Sequence, residues 1–229
     1  MTPSAPKHFP TEVLEVMKLV LIGPPAAGKG TQARVLESII GIPQISTGDI
    51  LRQAAKSGTP MGITAGALID HGEFVPDEII LEILSERLNH DDCKNGFILD
   101  GVPRTLSQAE VLERLGLKID HVFSVEVPDE IILKRVVDRR LCSSCPQAYH
   151  LVSKPPKEEG ICDACGSGLV SRADDNVETT RHRLQTYHGL TEPLKNFYEE
   201  RRKLWHVNGN CPVEETTDEI LEILGMNKK

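Results

Sequence analysis

The 229-residue chain carries 26 Lys and Arg against 34 Asp and Glu, a formal charge of −8 at pH 7. That length supports a full buried core, and the acidic balance argues against broad nucleic-acid binding. No apolar run reaches bilayer-spanning length, and Met1 to Val16 lacks the marks of a secretory or organelle-targeting segment, so a cytoplasmic protein with a short N-terminal tail or extra helix is expected.

Lys18 to Ile22 reads as a buried strand. It runs into Gly23-Pro24-Pro25-Ala26-Ala27-Gly28-Lys29-Gly30-Thr31, whose spacing is that of a phosphate-binding loop at a strand-to-helix junction. Small residues let the backbone curl around a phosphate, the next helix adds its positive end, and Lys29 adds a mobile charge. Gly30 stands where the common form has Ser or Thr, which removes the usual hydroxyl contact with magnesium from that position. The helix pattern continues to Ile40, and Gly41 suits a left-handed stop.

Ser46 to Val75 is Gly-rich, with short helical pieces. Pro76-Asp77 and Pro128-Asp129-Glu130 each open a helix, with Pro in the first turn and acids at its positive end. Gly96 to Asp100 and His121 to Val127 read as further strands, each followed by a helix pattern. This alternation predicts a parallel sheet covered on both faces, with ligand at the carboxyl ends of the strands, where Gly23 and Asp100 fall.

Asp138 to Asp175 breaks the alternation. Cys142 and Cys145, then Cys162 and Cys165, fit a four-thiolate structural zinc knuckle; a redox dithiol or a disulfide pair is the competing reading. Cys93 and Cys211 stand alone.

The phosphate loop, then Gln44-Ile-Ser-Thr-Gly-Asp-Ile-Leu-Arg52, then Leu99-Asp-Gly-Val-Pro-Arg104, resemble the signature order of the adenylate kinase family. The stretch from Arg139 through Tyr149-His150 to Ser171-Arg172-Ala-Asp174-Asp175 is similar to the family's long, zinc-carrying lid, and Arg183 and Tyr187 continue the likeness, which covers about residues 17 to 224. Two departures stand out: Val102 replaces the usual Phe, and Pro146-Gln147 follows the second cysteine where Gly is typical.

The resemblance implies an α/β fold of the P-loop nucleoside monophosphate kinase type, with a central parallel β-sheet flanked by helices. Residues 17–45, 76–137 and 176–229 would form the core domain, 46–75 an AMP-binding lobe, 138–175 the lid, and 1–16 an extension. The implied reaction is ATP + AMP = 2 ADP, run by a monomer with magnesium and a structural zinc. For ATP the likeness implies Gly23, Ala26, Ala27, Gly28, Lys29, Gly30, Thr31, Arg135, Arg139, Ala148, Tyr149 and Cys211. For AMP it implies Thr47, Arg52, Glu73, Phe74, Val75, Gly101, Arg104, Gln108, Arg172 and Arg183. Asp100 would hold magnesium through water, and Asp174 and Asp175 would order the closed lid or its arginines, with helix capping as the competing role.

The chemistry agrees with this residue inventory. An acceptor phosphate with a second pKa of roughly 6 is ionised at neutral pH and needs no general base. Catalysis then rests on holding repelling anions in line, a task suited to the forked guanidinium of Arg139, Arg172 and Arg183 beside Lys29. Another nucleoside monophosphate kinase, for pyrimidine or guanine nucleotides, is the nearest alternative. A zinc-knuckle nucleic-acid binder is the distant one.

Overall fold

The computed structural model describes residues 16–58, 60–71, 73–145 and 147–226, with backbone alone at 60 and 61. Most of the N-terminal extension, and Pro146 of the second departure, lie outside the described residues. The first strand, β1, spans Met17–Ile22; its last four residues are buried, as a strand covered on both faces requires. Helix α1 (Lys29–Ile40) follows the loop and ends at Gly41, whose φ of 80° lets its N–H reach the Glu37 carbonyl.

A short strand β2 (Gln44–Ser46) leads into α2 (Thr47–Lys56), capped by the Ser46 side chain, and then into α3 (Pro60–Asp70). Helix α4 (Asp77–Leu88) precedes β3 (Gly96–Asp100), α5 (Leu106–Arg114), β4 (His121–Glu126) and α6 (Asp129–Asp138). Pro76 and Pro128 stand just before α4 and α6 with extended ψ angles of 141° and 144°, one position earlier than the sequence suggested.

The cysteine-bearing segment forms a small antiparallel sheet of β5 (Arg139–Cys142), β6 (Ala148–His150) and β7 (Leu169–Val170). Then come α7 (Val177–Thr186), a π-turn over Tyr187–Thr191, α8 (Leu194–Glu200), β8 (Leu204–Asn208) and α9 (Val213–Ile223).

The main sheet has the order β2-β3-β1-β4-β8, parallel throughout. On one face α2 to α5 and α8 bury Leu51, Leu84, Leu112 and Leu194 against Val20, Leu99 and Val122; on the other α1, α6, α7 and α9 bury Leu36, Ile132, Leu184 and Ile220 against Leu19, Leu21 and Phe123. This is the doubly covered parallel sheet expected from the alternating pattern. It aligns the carboxyl ends of β1, β2 and β3 along one edge, and the cleft opens there.

Candidate active site

The loop between β1 and α1 takes its shape from three backbone conformations. Gly23, Ala26 and Gly28 have φ of 143°, 57° and 102°. A side chain on Gly23 would also stand 2.6 Å from the Val125 carbonyl, so only glycine lets the loop lie so close to β4. No side chain caps α1, which leaves its positive end to the loop. Lys29 folds back so that Nζ donates to the Gly23 and Pro24 carbonyls, each at 2.7 Å.

Burial opposes the Lys29 charge. Asp100 favours it, while Arg104, Arg183 and Arg139 disfavour it, and the balance lowers its pKa from 10.5 to about 7. These are arginines expected from the sequence. Burial, with Arg183 next, likewise lowers Arg104 to about 10, and burial with Arg52 and Arg139 lowers Arg172 to about 10; burial also lowers Arg183. All remain charged at neutral pH.

Each guanidinium rests on a protein oxygen. Arg139 pairs with Asp175 through two contacts, Nε–Oδ2 at 2.7 Å and Nη2–Oδ1. Arg183 donates to Asp174 at 2.5 Å, and both carboxylates are buried. The next helix is capped by Asn176, which accepts from the Thr179 N–H at 2.8 Å, so Asp174 and Asp175 serve the arginines and not the cap. Arg104 Nε donates to the Gly101 carbonyl at 2.8 Å. Arg52 and Arg172 converge on Asp49 at 2.6 and 3.3 Å, with Arg34 at 3.8 Å. Arg172 Nε is buried with no hydrogen-bond partner, a donor aimed at nothing the protein itself supplies.

Asp100 ends β3 facing Gly30. A Cβ on Gly30 would stand 3.1 Å from Asp100 Oδ2, so the departure noted in the loop opens room in front of this carboxylate. Gln44 Nε2 donates to the same oxygen at 3.1 Å. A hydrated divalent cation fits such a gap, with a carboxylate as anchor and no side chain in the way.

A cleft runs from the loop between α2, α3 and α5. Its wall includes Lys29, Thr47, Arg52, Glu73, Phe74, Val75, Gly101, Arg104, Gln108, Asp174 and Arg183, all expected from the sequence, and also Tyr187 and Thr191 of the π-turn. The Arg104 guanidinium sits 5.3 Å from the Phe74 ring centroid, so Phe74 faces the cleft as well as packing. Gly101 has φ of 85°, and a side chain there would press on Arg104 and Thr47 at 3.1 Å. Thr47 Oγ1 donates to the Gly101 carbonyl at 3.1 Å, so its hydroxyl already has a partner. Val102 is fully buried in the core and is not on the cleft wall.

Arg135 and Cys211 both contact the bend at 208–210. Arg135 donates to Gly209 O at 2.8 Å and Asn210 Oδ1 at 3.3 Å, and Cys211 Sγ lies 3.1 Å from Asn208 O. A Cβ on Gly209 would stand 3.2 Å from the Ala27 carbonyl, so this bend abuts the loop. Thr31, one position past the common hydroxyl site, turns its N–H to Gly28 O at 2.9 Å inside α1.

The four sulfurs of Cys142, Cys145, Cys162 and Cys165 lie within 4.8 Å of one another, with Cys142–Cys165 at 3.3 Å and Cys145–Cys162 at 3.6 Å. Such a cage of soft thiolates fits tetrahedral zinc. All six cysteines are free thiols, which disfavours the disulfide reading. Tyr149 serves this cage: it is buried, its hydroxyl accepts from Asp163 N–H at 2.7 Å and lies 3.4 Å from Cys162 Sγ, where it draws the thiol down to about 6. The Tyr149 hydroxyl is thus engaged at the knuckle. Ala148, beside it in β6, pairs with Leu141.

The family model for adenylate kinase matches residues 21–203. The chain belongs to the adenylate kinase family. It is 51% identical over 214 residues to an adenylate kinase of Caldicellulosiruptor saccharolyticus, covering 92% of this chain and all of that relative. An adenylate kinase of Trichlorobacter lovleyi is 51% identical over 212 residues, 91% of this chain and 99% of the relative. One from a Geobacillus strain is 48% identical over 213 residues, with the same two coverages. As a family member the chain is a nucleoside monophosphate kinase, and no described helix is long and apolar enough to cross a membrane.

Asp49, Asp77, Gln44 and Thr191 were missed in the sequence. Asp49 lies inside a quoted motif yet carries no mark of its three arginines, because Arg34, Arg52 and Arg172 come from three separate segments. Asp77 read only as a helix-start acid, although its carboxylate holds Gln108.

Proposed function

We propose that this cleft performs ATP + AMP = 2 ADP with residues in the following roles. The 23–31 loop and Lys29 hold the donor phosphates, exchanging two carbonyls at 2.7 Å for phosphate oxygens. Arg52, Arg104 and Arg172 take the acceptor phosphate, and Gln108 with the 73–75 backbone meets its base. Arg139 and Arg183, already aligned by Asp175 and Asp174, neutralise charge on the transferring group. Arg135, Ala148, Tyr149 and Cys211 border the donor nucleotide. Asp100 anchors a hydrated magnesium, which when bound supplies charge neutralisation between the phosphates. The four cysteines would hold a zinc ion, which would serve to close the knuckle.

Residues 46–75 and 138–175 act as lobes that close over the cleft and exclude water. The working form is a monomer of the cytoplasm, a reading supported by a cleft whose described wall comes from one chain. The observation that carries the reading is the gathering of Lys29 and five arginines around one cleft, each resting on a protein oxygen that phosphate can replace.

A coupled ADP assay with magnesium-ATP and AMP, CMP, UMP or GMP tests it. AMP is expected to be preferred, and Lys29→Met to lower kcat by about a hundred- to a thousandfold without loss of fold. Preference for another acceptor, or an unaffected Lys29→Met enzyme, overturns the assignment of these roles.

A further inference from the structure

The Gln108 side chain is 2% exposed on the cleft wall, and its amide is held from both ends. Nε2 donates to Asp77 Oδ1 at 2.6 Å, and Oε1 accepts from the Arg104 N–H at 2.7 Å. A carboxylate oxygen facing an amide accepts, and a backbone N–H can only donate. The amide therefore has a single compatible orientation. Turned over, it would set oxygen against oxygen and N–H against N–H in a buried place, losing both bonds.

Once these bonds are made, Nε2 keeps one hydrogen and Oε1 one lone pair. That remaining edge matches a 6-aminopurine, whose amino group donates and whose N1 accepts. A 6-oxopurine presents the reverse, an accepting O6 and a donating N1–H, and would need the amide turned over. Asp77 is not on the cleft wall, so it reaches the base only through Gln108. Its second oxygen is 3.4 Å from Thr105 Oγ1, which itself accepts from the Gln108 N–H at 3.2 Å, so the carboxylate is fixed to the start of α5 as well as of α4.

We propose that Asp77 is a specificity-determining positioning residue, which excludes 6-oxopurine monophosphates by fixing the orientation of the Gln108 amide. The inference rests on the reading that Gln108 meets the acceptor base.

The test measures kcat/KM for AMP and for inosine monophosphate in the full-length enzyme and in Asp77→Leu, Asp77→Asn and Gln108→Leu. Asp77→Leu is expected to lower the AMP-to-IMP ratio at least tenfold, by more than it lowers kcat for AMP. Asp77→Asn keeps the size and can both accept and donate, so it is expected to lower the ratio at least threefold; it carries the test if the leucine variant fails to fold. A purely structural role would depress both substrates together and leave the ratio alone. Ratios within twofold of the parent in both Asp77 variants, alongside a collapsed ratio in Gln108→Leu, overturn the role of Asp77 and leave the base reading intact. An unchanged ratio in Gln108→Leu overturns the base reading and this inference with it.

Discussion

The two segments flanking the cleft, α2–α3 on one side and β5–β7 on the other, are held together by different physics. The α2–α3 pair is an extension of the main core: Leu51, Ala65 and Val75 are buried in the cluster that contains Val20 and Leu99. The cysteine segment has its own core of Cys142, Tyr149 and Cys162, with Cys145 and Leu169 packed beside it. So few apolar side chains cannot offset the chain entropy of ordering the segment, and four metal-sulfur bonds can. One side is thus coupled to the sheet by packing. The other has a separate small core, and on the proposed zinc reading its order would depend on an ion.

Stripping the metal should break this comparison most visibly. A chelator with a thiol-blocking reagent is expected to release about one zinc per chain and lower activity by about a hundredfold or more, since Arg139 and Arg172 border the melted segment. Far-ultraviolet circular dichroism should keep most of its helical signal, because none of α1 to α9 leans on the knuckle core. Loss of the whole helical signal on chelation would show that the knuckle is not separate.

The converse test lies in α3. A Cβ on Gly62 would overlap the Ala54 backbone of α2, and one on Gly66 would stand 2.9 Å from Ala55 Cβ. Gly62→Ala should therefore force the helices apart and cost about 2–3 kcal/mol of stability, read as a lower denaturant midpoint. Because α2–α3 shares the main core, the loss should appear in the global transition and not as a separate early one. Metal content should stay unchanged.

How legible each side was follows from the same distinction. The four cysteines could be read directly, because metal-binding spacing is local in sequence. The strands β1, β3 and β4 were equally plain, being continuous apolar runs ahead of turn residues. The β2 and β8 edges were not, since Gln44–Ser46 is three residues long and Leu204–Asn208 contains exposed Trp205 and His206. The arginines were legible through motif order. Asp174 and Asp175 were legible with them, but Asp49 was not, as it meets Arg172 from 123 positions away; nor was the hold of Asp77 on Gln108 from 31. The hydroxyl of Tyr149 beside Cys162 was also not legible, because the motif that contains Tyr149 does not show which cysteine it reaches.

Between the two sides lies Lys29, with a pKa near 7 against an ordinary 10.5. Its folded pKa is below its unfolded one, so its contribution to stability is fully present above about 10.5 and is lost as pH falls through about 7. Binding has the opposite sign. A phosphate beside Lys29 favours the charged form, so donor binding above pH 7 takes up a proton and weakens as pH rises. ATP affinity is expected to fall by up to about tenfold from pH 7.5 to 8.5, a range in which the nucleotide itself is fully ionised. Calorimetry in buffers of different ionisation enthalpy should register the uptake, and Lys29→Gln should abolish it. A flat profile in the parent enzyme would mean that Lys29 is charged before nucleotide arrives.

The smallest expected effect concerns the direct link between the two sides. Arg172, just after β7, reaches Asp49 on α2 at 3.3 Å, across 123 positions of chain. Burial opposes ionisation of Asp49, but Arg52, Arg172 and Arg34 outweigh it and hold its carboxyl below the usual range. The pair should therefore persist at neutral pH and be lost as pH falls through that depressed value, the direction expected when a carboxylate is stabilised by folding. Asp49 is 43% exposed, so solvent screening limits the coupling to about 0.5 kcal/mol. A double-mutant cycle of Arg172→Ala and Asp49→Asn, read by energy transfer between probes at exposed Ile63 and Val152, should recover that coupling as a shift toward longer separation. Raising the salt from 0.05 to 0.5 M should erase most of it. Coupling well above 1 kcal/mol would show that the sides are joined by more than this ion pair, and the contrast between packed extension and ion-dependent unit would then have to be redrawn around whatever joins them.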